Sequence, residues 1–180
     1  MVDQPPIIVW FRDDLRLSDH PALSAAANTG APIIGLYVLD EESRGVRPLG
    51  GAARWWLAQS LRRLQASLQA VGAELVLRRG AAAKVIPEVA CIAKANRVFW
   101  NEIAQAPQLA IAKVVEAELA KAGIDSQSFA GDLLASPRDI RNQEGRGLRV
   151  FTPFWRRVQA LGDPPAPLLS HDPDHSLPSC

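Results

Sequence analysis

Five short strand-like runs, four of them apolar and separated each time by a helix-patterned stretch, constrain this chain more than any other feature of its sequence. Residues 7–11, 32–39, 74–78 and 98–100 are rich in β-branched, aliphatic and aromatic side chains, the composition of strands buried on both faces of a sheet, and residues 124–129 read as a fifth strand. Between the first two runs, Asp19 is placed to cap a helix, Pro21 to open its first turn and Gly30 to end it. After the second, Leu57, Leu61, Leu64, Leu68 and Val71 recur at spacings of 4, 3, 4 and 3, which makes one apolar stripe on a helix that Gly72 stops. Residues 81–95, with Val85, Val89 and Ile92 on one side, and residues 108–122, stopped by Gly123, complete the series. Strict βαβα order with apolar strands predicts an α/β fold: a doubly wound, Rossmann-like five-stranded parallel sheet with helices on both faces and right-handed crossovers.

Such sheets bind ligands outside the carboxyl ends of their strands, so the loops after Phe11, Leu39 and Trp100 are the places to look. Arg12, Asp13, Asp14 and Arg16 crowd the first of these loops. They either grip a polar ligand or lock the loop by ion pairs, and the lock is favoured because such pairs are commonly structural. Asn101 and Glu102 end the fourth strand, where polar side chains line a cleft or cap the next helix. Trp10 and Trp100 are expected in the core. Of Trp55 and Trp56, one is expected on the apolar helix face, the alternative being a stack on a planar ligand.

Other chemistries lack their usual signatures. No glycine lies between Arg12 and Asp19, so the G-x-G-x-x-G turn of dinucleotide binding is missing, as are the P-loop, the G-x-S-x-G elbow and H-E-x-x-H. Cys91 and Cys180 form no disulfide framework, and His20, His171 and His175 have no partners at zinc-site spacing. Neither a metal nor a catalytic residue is therefore expected. The net charge of +1 gives no nucleic-acid footprint in the composition. No apolar run approaches the roughly 20 residues of a membrane span, and the N-terminus does not read as a secretory signal, so a cytoplasmic chain is expected. Residues 162–180 hold five of the fourteen prolines and read as an interdomain linker or tail after a domain spanning 1–161.

Residues 9–23, Val-Trp-Phe-Arg-Asp-Asp-Leu-Arg-Leu-Ser-Asp-His-Pro-Ala-Leu, closely resemble the W-F-R-x-D-L-R-x-x-D-N-P-A-L opening of the DNA photolyase and cryptochrome family, with His20 in place of the usual Asn. The stretch from Arg54 to Leu64 resembles the family's R-x-x-x-L-x-x-S-L-x-x-L helix. Asp132-Leu-Leu, followed by Gly147 and by Val150-Phe-Thr-Pro-Phe-Trp155, resembles its L-L-x-P to V-F-T-P-F segment. The resemblance covers roughly residues 7 to 168, and implies the N-terminal α/β antenna domain of a photolyase. In that family such a domain harvests near-UV or blue light through a folate, FMN or deazaflavin. The excitation passes to FAD, which splits pyrimidine dimers.

On this resemblance the candidate antenna cleft comprises Phe11, Arg12, Asp40, Arg54, Asn101 and Glu102. The helical domain that binds FAD and damaged DNA has no counterpart in this chain. That domain is the implied partner, DNA is reached only through it, and the isolated chain is not catalytic. Alternatives are the same domain of a cryptochrome photoreceptor, or a stand-alone nucleotide-binding or interaction module without its chromophore. Ile103, Gln105, Pro107 and Gln108 stand where family members place chromophore-contacting acidic or Asn residues. Each hydrogen bond to a charged group lost there is worth about 1.5–3 kcal/mol, which predicts a weak hold on the usual antennas. The aromatic segment from Val150 to Trp155 reads either as a partner contact, with self-association of the isolated chain as its consequence, or as a cap on the sheet.

Overall fold

The computed structural model describes residues 4–131, 133–135 and 139–168. Asp132 and residues 169–180, which include His171, His175 and Cys180, lie outside them. Five strands, β1 (Ile7–Phe11), β2 (Ile33–Leu39), β3 (Glu74–Arg79), β4 (Arg97–Glu102) and β5 (Asp125–Ala130), alternate with α1 (Pro21–Ala27), α2 (Gly51–Ala70), α3 (Ala82–Ile92) and α4 (Ala106–Lys121). A last helix, α5 (Phe151–Gln159), follows β5 after a loop. All strand pairs are parallel, in the order β3-β2-β1-β4-β5. The chain therefore reverses direction across the sheet between β1 and β4, and the α/β expectation holds.

β1 is central, and its five residues are all buried, as a strand covered on both faces requires. Its side chains alternate. Ile7, Val9 and Phe11 join Leu23 of α1 and Leu64 and Leu68 of α2 in one core, while Ile8 and Trp10 join Ile86 of α3 and Val115 and Leu119 of α4 in the other. Gly35 in β2 lets α2 approach, since a Cβ there would meet Leu68 Cδ1 at 3.0 Å and the Glu74 carbonyl oxygen at 3.1 Å.

Several sequence expectations need correction. The cap of α1 is His20, whose Nδ1 accepts the Leu23 N–H at 3.1 Å; Asp19, in the left-handed region at φ 49°, instead accepts the Leu168 N–H through Oδ1. Both Trp55 and Trp56 are exposed, by 63% and 69%. The stripe on α2 is real but only its carboxyl half is buried, at Leu64 and Leu68. The reason is length: 20 helical residues reach about 30 Å, whereas the seven residues of β2 reach about 23 Å, so the first turns of α2 overhang the sheet. Ile92, at the end of α3, is exposed, and the buried side of that helix is Ala82, Ile86, Val89 and Ala90. The aromatic segment at 150–155 does not cap the sheet: it opens α5, which has no buried residue. Trp10 and Trp100 are core, as expected, with ring centroids 5.9 Å apart. Among the described residues no helix is long and apolar enough to cross a membrane.

Candidate functional site

A cleft of about 360 Å³ opens at the carboxyl ends of β1 and β2, the end of a parallel sheet where strand-terminal loops leave room for a ligand. Trp10 and Phe11 form its floor, Tyr37 to Glu41 and Leu49 one wall, and Gln105, Pro107, Gln108 and Ile111 at the start of α4 the other. Arg12 crosses it. Its guanidinium carbon lies 4.5 Å from the Trp10 ring centroid, a cation–π contact, while Nη2 donates to the Gln108 carbonyl oxygen at 3.0 Å and to Gln108 Oε1 at 2.6 Å. A second groove of about 500 Å³ on the α2 side shares Arg12, Asp13, Tyr37 and Leu49 and is lined by Trp56 and Leu57. Arg12 and Tyr37 thus stand between two openings. Burial, with the negative charges of Asp13 and Glu41 beside it, pushes the Tyr37 phenol up to about 12, so it stays a hydrogen-bond donor at any ordinary pH.

Asp40 lines the cleft, but its acceptor sites face the protein. Oδ1 accepts the N–H groups of Glu42 and Ser43, and Oδ2 accepts the Ser43 hydroxyl at 2.6 Å and the Ala82 N–H at 2.9 Å. Burial alone would raise this carboxyl, but these four donors outweigh it and lower it. Four bonds fill the lone pairs of a carboxylate, and the last of them caps α3, whose own Ncap residue, Ala81, supplies no side-chain bond. Arg54 stands behind the wall rather than in it. Its Nη2 donates to Glu41 Oε1 at 2.7 Å and its Nε to the Leu49 carbonyl oxygen at 2.9 Å, while Arg79 donates to the other Glu41 oxygen. The rim residues Glu41 and Leu49 are fixed by this bracket.

Asn101 and Glu102 do not line the cleft. Glu102 accepts the Ser128 hydroxyl across β4 and β5. Asn101 is buried on the opposite face of the sheet, where its Oδ1 accepts the Ala22 N–H at 3.0 Å and its Nδ2 donates to Asp14 Oδ2 at 2.6 Å. That carboxylate oxygen also lies 3.1 Å from His20 Nε2, the nitrogen that carries the ring proton because Nδ1 is the acceptor of the α1 cap. Asp14 Oδ1 takes the Arg12 N–H at 3.2 Å. Asp14, His20 and Asn101 therefore form one buried polar unit tying the β1 loop, α1 and β4 together, so the loop-locking reading holds for Asp14. It holds for Arg16 too, which donates to the carbonyls of Ser18, Asp19 and Gly131.

Gly131 passes so close to this unit that a Cβ would fall 2.6–2.9 Å from Asn101 atoms. Because both ends of Asn101 are committed, Gly131→Ala is expected to cost about 1–3 kcal/mol, read as a lower urea midpoint. Acid should loosen the same unit. Burial alone would raise the Asp14 carboxyl, but hydrogen bonds from His20, Asn101 and the Arg12 N–H, with the attraction of the His20 ring, bring it from 3.8 to about 2. A carboxyl lowered in the folded state adds stability that is full above its unfolded value and lost as pH falls from 3.8 toward 2. The expected loss is about 2 kcal/mol, and urea melts across that acid range should show it in wild type and not in Asp14→Asn.

Of the sequence-derived cleft residues, the structure brings Phe11, Arg12 and Asp40 to the cavity, puts Arg54 behind its rim, and leaves Asn101 and Glu102 outside its lining. Gln105, Pro107 and Gln108, singled out through the resemblance, line the cavity, and Ile103 does not. Trp10, which was expected in the core, and Tyr37 line it as well and were missed as site residues.

A family model described as DNA photolyase matches residues 7–172. The chain is 41% identical over 172 residues to the deoxyribodipyrimidine photo-lyase of Agrobacterium fabrum, covering 96% of this chain and 35% of that protein. It is 36% identical to Cryptochrome-1 of Arabidopsis thaliana, covering 90% and 24%. The crystal structure of a bacterial class III photolyase from Agrobacterium tumefaciens superposes with a TM-score of 0.88 at 37% identity, over all of this chain and 36% of that one. This chain thus spans about a third or less of the length of these relatives.

Proposed function

Because the chain belongs to the DNA photolyase family, we propose that it is the light-harvesting α/β part of a longer flavoprotein and holds a planar antenna chromophore over Trp10 and Arg12. One observation carries this reading: the strand-end cleft has an aromatic floor, walls of mixed polar and apolar side chains, and a guanidinium held in place by Gln108. Such a site sandwiches a flat heteroaromatic ring and offers hydrogen bonds at its edge. Arg12 and the Tyr37 hydroxyl donate, and the amide of Gln105 both donates and accepts. Asp40 shapes the wall rather than contacting the ring, its oxygens being filled. The folates, FMN and deazaflavins are the class that fits. When bound, the chromophore supplies absorption in the near-UV or blue and passes excitation on.

The acceptor is FAD in a helical domain beyond this chain, where dimer splitting and contact with the lesion are also assigned. Identity to a photolyase above that to a cryptochrome favours repair as the process served. Residues 1–161 form the antenna domain and 162–180 the linker in this reading. The docking face for the helical domain is α5, a nine-residue helix too short to be stable alone in water. It leaves Phe151 and Trp155 stacked and exposed, with centroids 6.2 Å apart. Without that partner the face pairs with a second copy, and sedimentation should show concentration-dependent association that Phe151→Ser/Trp155→Ser removes.

The cleft itself is tested by equilibrium dialysis of the chain against methenyltetrahydrofolate, FMN and deazaflavin, read by absorbance. Saturable, weak uptake of one of them, lost in Arg12→Ala, is the expected result. Uptake of none, or uptake indifferent to Arg12, overturns it.

A further inference from the structure

The segment between β2 and α2 brings a cation to the cleft that the ring-binding groups leave unused. Gly45, Val46, Arg47 and Leu49 of this segment line the cavity, and its backbone is anchored at several points. Asp40 Oδ1 accepts the Glu42 and Ser43 N–H groups, the Ser43 carbonyl oxygen accepts the Val46 N–H at 3.1 Å, and Glu41 Oε1 accepts the Leu49 N–H at 3.3 Å. Val46 packs against the core below, and a Cβ on Gly45 would fall 3.5 Å from Pro107 Cβ on the opposite wall. Arg47 is therefore set at the rim by the backbone on both sides of it. The residue is exposed, and its side chain makes no hydrogen bond or ion pair with the described residues. Its surroundings explain why. The two carboxylates of this wall are already taken, Asp40 by four donors and Glu41 by Arg54 and Arg79. Of the two arginines that line the cavity, Arg12 is held by Gln108 and Arg47 is open to a ligand.

We propose that Arg47 makes the cleft selective for chromophores with an anionic tail, pairing with a phosphate or carboxylate that follows the ring out over the rim. The inference rests on the antenna reading and concerns the same cavity. Size is the first argument. At about 360 Å³ the cleft stands near the lower end of the roughly 300–1,000 Å³ of ligand pockets, so a ring seated over Trp10 and Arg12 fills it and its side chain leaves by the rim. Charge is the second. Asp13 lines both the cleft and the groove on the α2 side, whereas Arg47 lines the cleft alone. Repulsion from Asp13 and attraction to Arg47 turn an anionic tail the same way, along the β2–α2 segment. A guanidinium fork matches the paired oxygens of a phosphate or a carboxylate. The ligand class is thus a planar heteroaromatic ring joined by a flexible chain to a terminal anion, as in FMN and the folates. Riboflavin, whose chain ends in a hydroxyl, lacks the group that Arg47 reads.

Equilibrium dialysis of the full chain against pairs of ligands that share a ring and differ in the tail tests it. FMN is compared with riboflavin, and methenyltetrahydrofolate with its triglutamate, so that one pair reports on phosphate and the other on carboxylates. The more anionic member of a bound pair should bind about fivefold tighter at low salt, the upper range for an exposed charge pair, and the preference should shrink as salt is raised. Arg47→Ala should abolish the preference while leaving riboflavin uptake as it was, and Arg47→Lys should restore part of it. Arg44→Ala, an exposed arginine of the same segment outside the cavity lining, should keep the full preference. Equal uptake within each pair, a preference that survives Arg47→Ala, or equal losses from Arg44→Ala and Arg47→Ala overturns the inference and leaves the antenna reading standing. Uptake of neither ring system overturns both.

Discussion

Asp14→Ala is expected to lower the unfolding free energy by about 3–5 kcal/mol, since it strands several buried donors that each cost about 1–3 kcal/mol when left unsatisfied. The cost arises from what stays behind. His20 Nε2 and Asn101 Nδ2, both buried, lose the acceptor they share at 3.1 and 2.6 Å, and the Arg12 N–H loses the other carboxylate oxygen. Unpaired buried donors are penalised by their full desolvation. Urea denaturation should show a lower midpoint with an unchanged slope, as befits a loss of stability without a change in the surface exposed. Because total stability is commonly 5–15 kcal/mol, His20→Asn provides a milder companion. Asparagine is a good Ncap and can still offer Asp14 an N–H, so its effect should stay within about 1 kcal/mol. If Asp14→Ala melts like wild type, the buried unit is not what joins α1 to β4.

Trp100→Ala is the second large effect, with an expected loss of about 3–5 kcal/mol. Trp100 is 2% exposed and tilts against Trp10 across the β1–β4 pair, in the core that also holds Ile111 and Val115 of α4. Its removal opens a cavity directly beneath the floor of the cleft. Trp10 then loses the neighbour that fixes its ring, and the Arg12 stack above it loosens, so chromophore uptake should weaken along with stability. Trp55→Ala is the matched control. It removes the same side chain from a position 63% exposed and should change stability by no more than about 0.5 kcal/mol. Equal losses from the two substitutions would mean that the overhanging start of α2 is covered by something in solution.

Much of the fold was legible because its signals are local. Strands announce themselves by short β-branched and aromatic runs and helices by apolar spacing, and strict alternation leaves a parallel, doubly wound sheet as the natural arrangement. The position of the cleft followed as well, since the carboxyl ends of parallel strands are where side-chain-lined space opens. Of the residues that the resemblance implied, Phe11, Arg12 and Asp40 lie at that end and line the cavity. Asp40 nevertheless spends its oxygens on Ser43 and the start of α3, because a strand-end carboxylate meets whichever N–H groups the fold brings to it, and Ala82 lies 42 residues on.

The same reasoning accounts for Asn101. Its place at the end of β4 was plain, but which face it points to depends on the register of the pleat against β1, and a step of one residue exchanges cleft for core. The exposure of Trp55 and Trp56 depends on how far α2 outruns the sheet, a comparison of lengths between separate elements. α5, with no core behind it, left no packing pattern to read. The sequence by itself determined the element order, the parallel sheet and the end of it that carries the site, because strand and helix preferences act within a few residues. Only the tertiary structure decided that Gln108 holds Arg12 and that Asp14, His20 and Asn101 close into one buried unit, because those contacts join parts of the chain that sequence spacing does not relate.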